Sequence, residues 1–377
     1  MTSPRIAVVG AGIGGMALAI GLAQKGLKPT VLEQASQFRR VGAGINLTPN
    51  AVKVLDGLGI GPRVRETAFR PACRLSRQWD TGAETSRLAL GDAGESRYGA
   101  PQLTIHRADL LSAMEEALPS GSVQLGRKVQ RIEDAGDAVT LHFADGESDR
   151  YDAVIGADGI HSAVREKLLG TEEPRFTGKV AFRSTVPAAA LADLDLAPTT
   201  KWWGPDSSSQ LFTFLINGGR ELFVFATMAA PEWTNESWSI QGTKQELVDA
   251  YASFHPEAVR ILSHCEVILK TAMYARDPLD HWTEGRITLL GDACHAMLPF
   301  MAQGAAMGLE DAAVLSRCLQ DADAAAVPAA LLCYERTRRE RASRIQVASS
   351  QNDWLRSDSN ADWVYGYDAW TTPLIVN

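Results

Sequence analysis

Short apolar runs that end in glycine or an acidic residue recur at four places along the chain. IAVVG over 6–10, PTVLE over 29–33, YDAVIGADG over 151–159 and ITLLGD over 287–292 have the composition of fully buried parallel strands. Between the first two, Met16 to Lys25 has apolar residues at helical spacing. The pattern predicts a strand–helix–strand unit at the N-terminus and related strands far downstream.

The middle of the chain has a different pattern, in which apolar and polar residues alternate. VAFRSTV, TKWW, QLFTFLI and ELFVFATM, between Val180 and Met228, predict antiparallel strands, the last two joined by the glycine-containing loop NGGR. Shorter alternating segments lie between Ser122 and Phe143. Alternation implies that one face of the sheet is covered and that the other face is available to line a cavity.

Helices are predicted on both sides of this sheet. The helical segments are Asn50–Leu58, Arg107–Ala117, Lys244–Phe254 and the remainder of the chain from Asp292 to about Asn352. Because the nucleotide-type strands lie at both ends, we expect a discontinuous α/β domain with the middle sheet inserted. The predicted boundaries are 1–72, 99–176 and 270–377 for the nucleotide-binding domain, and 73–98 and 177–269 for the sheet domain.

Composition and charge limit the classes of binding partner and the cellular compartment that we expect. The 377 residues carry a formal net charge of −8, with Lys and Arg scattered, which argues against nucleic acid as a partner. Five cysteines form no C-x-x-C pair and no zinc-type spacing, so we expect no metal site and a reducing cytoplasm. The apolar stretch 6–23 contains five glycines and is interpreted as strand, turn and helix, so no membrane association is expected.

The strongest local motif is GAGIGG, which begins at Gly10, directly after one predicted strand and at the start of a helix. Gly10 permits a tight turn, Gly12 lets backbone N–H groups approach a pyrophosphate, and Gly15 allows close helix–strand packing. Glu33, at the end of the next strand, is placed to accept hydrogen bonds from a ribose. The motif indicates a dinucleotide site without separating FAD from NAD, and the alternative is a glycine turn that binds nothing.

Two later segments have a similar arrangement of an acid at a strand end. Asp158-Gly159 follows the strand of YDAVIG, with Arg165 on the helix beyond, and Gly291-Asp292 follows ITLL. Such an acid can hold a ribityl hydroxyl, and N–H groups at a helix start near Gly304 can stabilise negative charge on a reduced flavin ring. For Asp292 the alternative is a helix N-cap.

GAGIGG, IHRADL, GADGIHSAVR and LLGDACHAMLPFMAQGA, in this order, resemble the signature regions of the class A flavoprotein aromatic hydroxylases, the group of salicylate and 4-hydroxybenzoate hydroxylases. The resemblance covers essentially the whole chain. It implies a Rossmann-like, glutathione-reductase-type FAD-binding domain, an inserted antiparallel substrate sheet and C-terminal helices. It also implies one FAD, NADH or NADPH as co-substrate without its own domain, and dioxygen inserted into an aromatic ring through a flavin hydroperoxide.

The resemblance assigns residues to the cofactor by position. These are Gly10, Gly12, Gly14, Gly15, Glu33, Gln34, Arg107, Val129, Asp158, Asp292, Gly304 and Ala305. Arg107 is equally a helix-start charge, and Val129 is equally a core residue. For His106, His161 and His295, which lie inside the cofactor motifs, a structural hydrogen bond is the favoured interpretation.

Within the family, TKWW, TRRERASRIQ and DWVYGYDAW are most similar to a monooxygenase of a hydroxypyridine carboxylate, which the resemblance implies hydroxylates with loss of carbon dioxide. Three positions depart from it: Asn46 replaces a histidine base, Phe212 a tyrosine and Phe300 a histidine. With Pro299 and Met301 these are the candidate pocket residues. They predict a more apolar pocket for 6-hydroxynicotinate, a hydroxypicolinate or a salicylate-like acid. The alternatives are a turn for Asn46 and core packing for the phenylalanines.

Other classes of protein remain open at this point. A disulfide reductase is disfavoured because the chain has no C-x-x-C pair, and a tryptophan-type halogenase because it has no W-x-W-x-I-P motif. An FAD-dependent dehydrogenase without oxygen insertion and a non-catalytic flavin redox sensor are the two alternatives. The sequence does not predict the oligomeric state.

Overall fold

A largely parallel sheet built from both ends of the chain organises the computed structural model, which describes residues 3–38, 44–230, 240–356 and 360–376. The first eleven strands are β1 Ile6–Val9, β2 Thr30–Glu33, β3 Gly44–Leu47, β4 Cys73–Gln78, β5 Glu84–Ala89, β6 Leu103–His106, β7 Val123–Leu125, β8 Val129–Asp134, β9 Val139–Phe143, β10 Ser148–Tyr151 and β11 Ala153–Gly156. The later strands are β12 Arg175–Pro187, β13 Thr199–Trp203, β14 Gln210–Ile216, β15 Glu221–Ala229, β16 Ile240–Gln241, β17 Leu269–Ala275, β18 Thr283–Glu284 and β19 Ile287–Leu289.

Helices connect and cover these strands. They are α1 Ile13–Gln24, α2 Pro49–Gly57, α3 Gly61–Arg65, α4 Asp92–Tyr98, α5 Arg107–Ala117, α6 Ala163–Leu169, α7 Lys244–Ala250, α8 Pro256–Ser263, α9 Asp292–His295, α10 Gly304–Leu319, α11 Val327–Gln351 and α12 Asp362–Tyr365. A 3-10 turn at Pro299–Met301 precedes α10. Within the described ranges, no helix is both long enough and apolar enough to cross a bilayer.

The six-stranded sheet has the order β18-β19-β11-β1-β2-β7, and only its β18–β19 pair is antiparallel. Its strands are the apolar runs that the sequence pattern singles out, and β1, β11 and β19 are wholly buried. Parallel strands buried on both faces need continuous apolar runs. Their carboxyl ends carry Gly10, Asp158 and Asp292 to one edge of the sheet, where ligands bind in this kind of fold.

The second large sheet has eight strands in the order β16-β17-β12-β15-β14-β13-β4-β5. All neighbours are antiparallel except β13 and β4, which run parallel. A parallel pair needs a long connection, and here the chain between β4 and β13 contributes strands β7 and β11 to the six-stranded sheet. Strands β12 and β17 extend across the predicted boundaries at 176/177 and 269/270, so continuous strands link the two halves.

The two faces of the eight-stranded sheet differ in character. One face packs Trp202, Leu211 and Phe182 against Tyr251 and Leu262, from the α7–α8 region, in a buried apolar cluster. On the opposite face, the register aligns Lys201 of β13 with Ser76, Phe212 and, through β14, Phe225. Directly paired residues share a face of a sheet, so this second row points towards the nucleotide-type half.

Candidate active site

The glycine turn between β1 and α1 has no room for side chains at two of its positions. Gly10 has φ +103°, and a Cβ atom there would lie 2.4 Å from the carbonyl oxygen of Ala157. A Cβ on Gly15 would lie 2.0 Å from the Gly10 carbonyl oxygen. At Gly12 the same construction meets no atom within 4 Å, so the backbone at the start of α1 is open to a ligand. An open helix start suits a pyrophosphate.

Glu33 ties the end of β2 to this turn. One carboxylate oxygen accepts a hydrogen bond from the backbone N–H of Ala11 at 3.0 Å, and the other accepts from Ala35 at 2.8 Å. Each carboxylate oxygen can accept a further hydrogen bond, so the group remains available to ribose hydroxyls. The neighbouring Gln34 is exposed.

Asp158 follows β11 and holds the start of α6. Its carboxylate accepts hydrogen bonds from the Ser162 hydroxyl at 2.5 Å and from the Ala163 backbone N–H at 2.9 Å. Ser162 in turn accepts from the backbone N–H of Arg165, so it is the N-cap of the helix. Burial raises the pKa of Asp158, and these hydrogen bonds oppose that shift.

Asp292 and Arg107 lie near each other at the carboxyl edge of the six-stranded sheet. Burial among protein atoms raises the pKa of Asp292, against the opposing charges of His295 and Arg107. The Asp292 residue is nevertheless exposed, so a ligand can reach it. Arg107 is the first residue of α5, and His106 caps that helix by accepting from the Ala108 backbone N–H.

A hydrogen-bonded chain of side chains fixes the start of α10, where Gly304 and Ala305 lie. The Gln303 amide donates to Thr48 at 2.9 Å and accepts from Asn50 at 2.9 Å, and Asn50 also donates to Glu310 at 2.7 Å. All of these groups are buried. A Cβ atom built on Gly304 meets no atom within 4 Å, so the N-terminus of this helix is also open. Its N–H groups can therefore face an anionic ligand atom.

Two acids of that helix, Glu310 and Asp311, take part in a buried network of ionisable groups. Asp311 accepts from His295 at 2.6 Å, from Arg338 at 2.8 Å and from the backbone N–H of Gly291 at 3.1 Å. Arg338 also pairs with Glu310 at 2.7 Å. Burial opposes ionisation, but His295 and Arg338 lower the pKa of Asp311 to about 2. The network holds the segment that carries Asp292.

The remaining predicted cofactor residues have plainer surroundings. Val129 is buried in the main core cluster. Gly14 lies against α10, where a Cβ atom would meet the Leu290 side chain at 2.5 Å and the backbone of Gly308. His161 is exposed.

A pocket lies between the polar face of the eight-stranded sheet and the Pro299–Met301 turn. All five predicted pocket residues line it: Asn46, Phe212, Pro299, Phe300 and Met301. The empty space among these side chains, including space open to solvent, is about 440 Å³. The rings of Phe212, Phe225 and Phe300 supply an apolar lining.

The same pocket contains polar groups that were not predicted from the sequence. They are Arg74, Lys201, Gln210 and Tyr365. The amide oxygens of Asn46 and Gln210 are buried and have no hydrogen-bond partner among the described residues. The sequence signal for Lys201 is a basic residue directly before two tryptophans in TKWW. The face of the sheet to which its side chain points depends on the register of the strand.

Burial perturbs the cations of the pocket. It lowers the pKa of Lys201 well below the ordinary value, and Arg74, Arg356 and Lys179 add to this shift, which Asp353 opposes. Burial also raises the pKa of Tyr365 to about 12, while Arg74 acts in the opposite direction. The pocket therefore combines aromatic walls with two basic side chains, Arg74 and Lys201, whose charged forms burial disfavours.

The residues at the carboxyl edge of the six-stranded sheet are suited to bind FAD. The open backbone at Gly12 suits the pyrophosphate, Glu33 the adenosine ribose, and Asp292 with Arg107 the ribityl and phosphate region. The open start of α10 at Gly304 suits the flavin ring, adjacent to the pocket. Each of these contacts comes from a different part of the chain.

Comparison with known proteins agrees with this fit. Residues 4–349 match the family model described as "FAD binding domain". The chain is 42% identical to the 6-hydroxynicotinate 3-monooxygenase of Bordetella bronchiseptica, over 99% of this chain and 97% of that protein.

Solved structures give the same result. A salicylate hydroxylase substrate complex superposes with a TM-score of 0.85 at 28% identity, covering 97% of this chain and 96% of that one. HpxO of Klebsiella pneumoniae, complexed with FAD and uric acid, has a TM-score of 0.83 at 27% identity, covering 95% and 90%. The predicted fold class and the FAD cofactor are confirmed. The chain belongs to the FAD binding domain family and is an FAD-dependent monooxygenase of the class A aromatic hydroxylase type.

Proposed function

We propose that this enzyme hydroxylates a small hydroxylated aromatic or pyridine carboxylate, with NADH or NADPH and dioxygen as co-substrates. The observation that carries the proposal is the pocket between the sheet and the Pro299–Met301 turn, because it lies beside the α10 start that fits the flavin ring. We further propose that residues 1–72, 99–176 and 270–377 hold the cofactor, and that 73–98 and 177–269 supply the substrate sheet.

The lining supports a flat ring as the substrate. Phe212 and Phe225 are directly paired across β14 and β15, and Phe300 faces them from the turn. Aromatic side chains pack against a planar ring by offset stacking or edge contact. A ring held there lies close to the cofactor and is largely removed from water, which limits wasteful loss of reduced oxygen.

The amide oxygen of Asn46 favours a substrate whose ring carries a hydrogen-bond donor. Its buried amide oxygen has no partner among the described residues, so it is available to accept a hydrogen bond from a ring hydroxyl or a ring N–H. Leaving such an oxygen unpaired costs about 1–3 kcal/mol, which favours a ligand with a donor at this point. Asn46 does not take the proton, because an amide is not a base at neutral pH.

Bound FAD supplies the redox chemistry, since it accepts a hydride from the nicotinamide and activates dioxygen. The chain contributes position and charge. The guanidinium of Arg74, which lines the pocket, favours the ionised, electron-rich form of the substrate hydroxyl. An electron-rich ring is what an electrophilic oxygen donor attacks.

The test is a screen of 6-hydroxynicotinate, hydroxypicolinates, salicylate and 3-hydroxybenzoate for accelerated NAD(P)H oxidation by the FAD-loaded enzyme. At least one acid should accelerate the oxidation and should yield a product with one additional oxygen atom. The mass of the product and the release of carbon dioxide then distinguish simple from decarboxylative hydroxylation. Acceleration by none of these acids would contradict the proposal.

A further inference from the structure

Two cations that line the pocket have no carboxylate partner in the part of the chain that the structure describes. Arg74 and Lys201 are 6% and 3% exposed, and neither lies in an ion pair among the described residues. The fully buried Arg338 provides the contrast, because it pairs with both Glu310 and Asp311. A buried cation normally has an anionic partner, since its desolvation is otherwise uncompensated.

The sheet places these two cations on the same face. Strands β4 and β13 run in parallel, with Arg74 opposite Thr199 and Ser76 opposite Lys201. Residues two apart on a strand share a face, so Arg74 and Lys201 are diagonal neighbours on the side that carries Phe212. Both side chains therefore reach the same end of the pocket.

The contacts of Lys201 hold its ammonium group in place. It donates a hydrogen bond to the Asn352 amide oxygen at 3.0 Å, and it lies 3.6 Å from the ring centroid of Trp203. Asn352, with φ +54° at the end of α11, donates in turn to the Ser207 carbonyl at 3.2 Å. Its neighbours are one neutral acceptor and two rings, the second being that of Phe300 at 5.5 Å, so among the described residues no carboxylate pairs with the ammonium and its charge remains available to a ligand.

Arg74 is held in a comparable way. Its guanidinium lies 5.1 Å from the Trp354 ring centroid and beside Tyr365, and its buried Nε atom has no hydrogen-bond partner among the residues described. A guanidinium fork matches a carboxylate in geometry, and an ammonium adds a second charge. The two groups together suit a single carboxylate.

We propose that Arg74 and Lys201 form an anion subsite that binds the ring carboxylate and thereby selects acids over their neutral analogues. The inference rests on the proposed function, because it names the part of the substrate that this end of the pocket recognises. Asn46 and the phenylalanine rings then contact the remainder of the ring.

The test is equilibrium dialysis of the FAD-loaded enzyme with matched probes: salicylate against salicylamide, and benzoate against benzamide. The unaltered enzyme should bind each acid about tenfold or more tightly than its amide. Lys201→Met should lose about tenfold or more in affinity for the acids, with affinity for the amides nearly unchanged, and Lys201→Arg should keep the preference.

The control is Lys270→Met, since Lys270 lies on the same sheet, is aligned with Phe182 on the opposite face, and pairs with Glu246. This variant should keep the preference for acids. Retention of the visible flavin spectrum reports an intact fold. If Lys201→Met loses its FAD, Lys201→Gln makes the same comparison, because glutamine keeps a donor to Asn352 without the charge.

No preference for acids in the unaltered enzyme, or equal losses for acid and amide in the Lys201 variants, would overturn the subsite. The dialysis involves no turnover, so its outcome is independent of whether any ring is hydroxylated. Binding selectivity without oxygen insertion would therefore contradict the proposed function and leave the subsite standing.

Discussion

Glu33 accepts a hydrogen bond from the backbone N–H of Ala11 at 3.0 Å, so one carboxylate both braces the glycine turn and faces the adenosine side of the cofactor site. We predict that Glu33→Ala weakens FAD binding about tenfold or more, since charge-assisted hydrogen bonds to the turn and to the ribose are both lost. The measurement is a titration of apoprotein with FAD, followed by flavin fluorescence. Glu33→Gln, which keeps one acceptor oxygen, should have an intermediate affinity, and unchanged affinity in Glu33→Ala would contradict this role.

Two substitutions in the glycine turn should have different effects, one on FAD binding and the other on the stability of the apoprotein. Gly12→Ala introduces a Cβ atom into open space at φ −75°, so we predict normal stability of the apoprotein and weakened FAD binding. Gly10→Ala places a Cβ atom 2.4 Å from the Ala157 carbonyl oxygen at φ +103°, so the fold itself should be destabilised by several kcal/mol. Urea unfolding of both apoproteins gives the comparison. Equal destabilisation by the two substitutions would contradict it.

These turn residues are close in sequence to the elements they serve, which is why sequence patterns predict them. GAGIGG and Glu33 belong to one strand–helix–strand unit, and the acids at 158 and 292 end apolar runs that have the composition of buried strands. The predicted strands and helices agree with the structure in type and approximate position. Local composition and periodicity suffice for that part of the fold.

The anion subsite depends on information that is not local. Arg74 and Lys201 come together because β4 and β13 pair in parallel, across more than a hundred residues of intervening chain. Moving the register by one residue would turn Lys201 to the face occupied by Trp202. Family resemblance identifies the departures at Asn46, Phe212 and Phe300. Arg74 lies in no such segment, and Lys201 lies in TKWW, where the resemblance assigns it no role.

The buried network that joins Glu310 and Asp311 of α10 to Arg338 should contribute strongly to stability. We predict that Asp311→Asn destabilises the apoprotein by roughly 3–5 kcal/mol, because Arg338 and His295 lose a buried anionic partner. As a control, Asp56→Asn removes an ion pair with Arg65 whose side chains are 38% and 36% exposed, and should cost about 1 kcal/mol or less. Urea unfolding midpoints distinguish the two, and similar small shifts would contradict the prediction.

The same carboxylate predicts a pH dependence. The pKa of Asp311 in the folded protein is lowered to about 2, so its ionised form stabilises the fold at pH values above its ordinary pKa. That contribution is lost as the pH falls towards the lowered value. Between neutral pH and the acid range, the Asp311→Asn variant should therefore lose less stability than the unaltered protein, measured by urea unfolding.

Binding of an acid should depend on pH in the opposite sense. Burial lowers the pKa of Lys201, and only the protonated ammonium attracts a carboxylate, so affinity for benzoate should be highest at low pH and should fall as the pH rises through that pKa. In Lys201→Arg the fall should move to higher pH, because a guanidinium stays protonated. Equilibrium dialysis over a series of pH values, from above the pKa of the benzoic acid carboxyl to the ordinary pKa of lysine, measures this.

Other charged groups surround Lys201 and require a control. Arg74, Arg356 and Asp353 act on Lys201 through their charges, and Lys179 also has a pKa lowered by burial. Lys179→Met should therefore keep the pH-dependent fall. If the fall in affinity disappears in Lys179→Met and persists in Lys201→Arg, then Lys179 and not Lys201 is the group that titrates, which would contradict the prediction.

Insertion of oxygen into a bound aromatic acid is the central claim, and isotope labelling tests it most directly. The FAD-loaded enzyme is supplied with NADH, ¹⁸O-labelled dioxygen and the acid that most accelerates NADH oxidation. We predict a product that carries one ¹⁸O atom on the ring, with no label introduced from ¹⁸O-labelled water. A product that contains no oxygen from dioxygen, formed while NADH is consumed, would contradict the account.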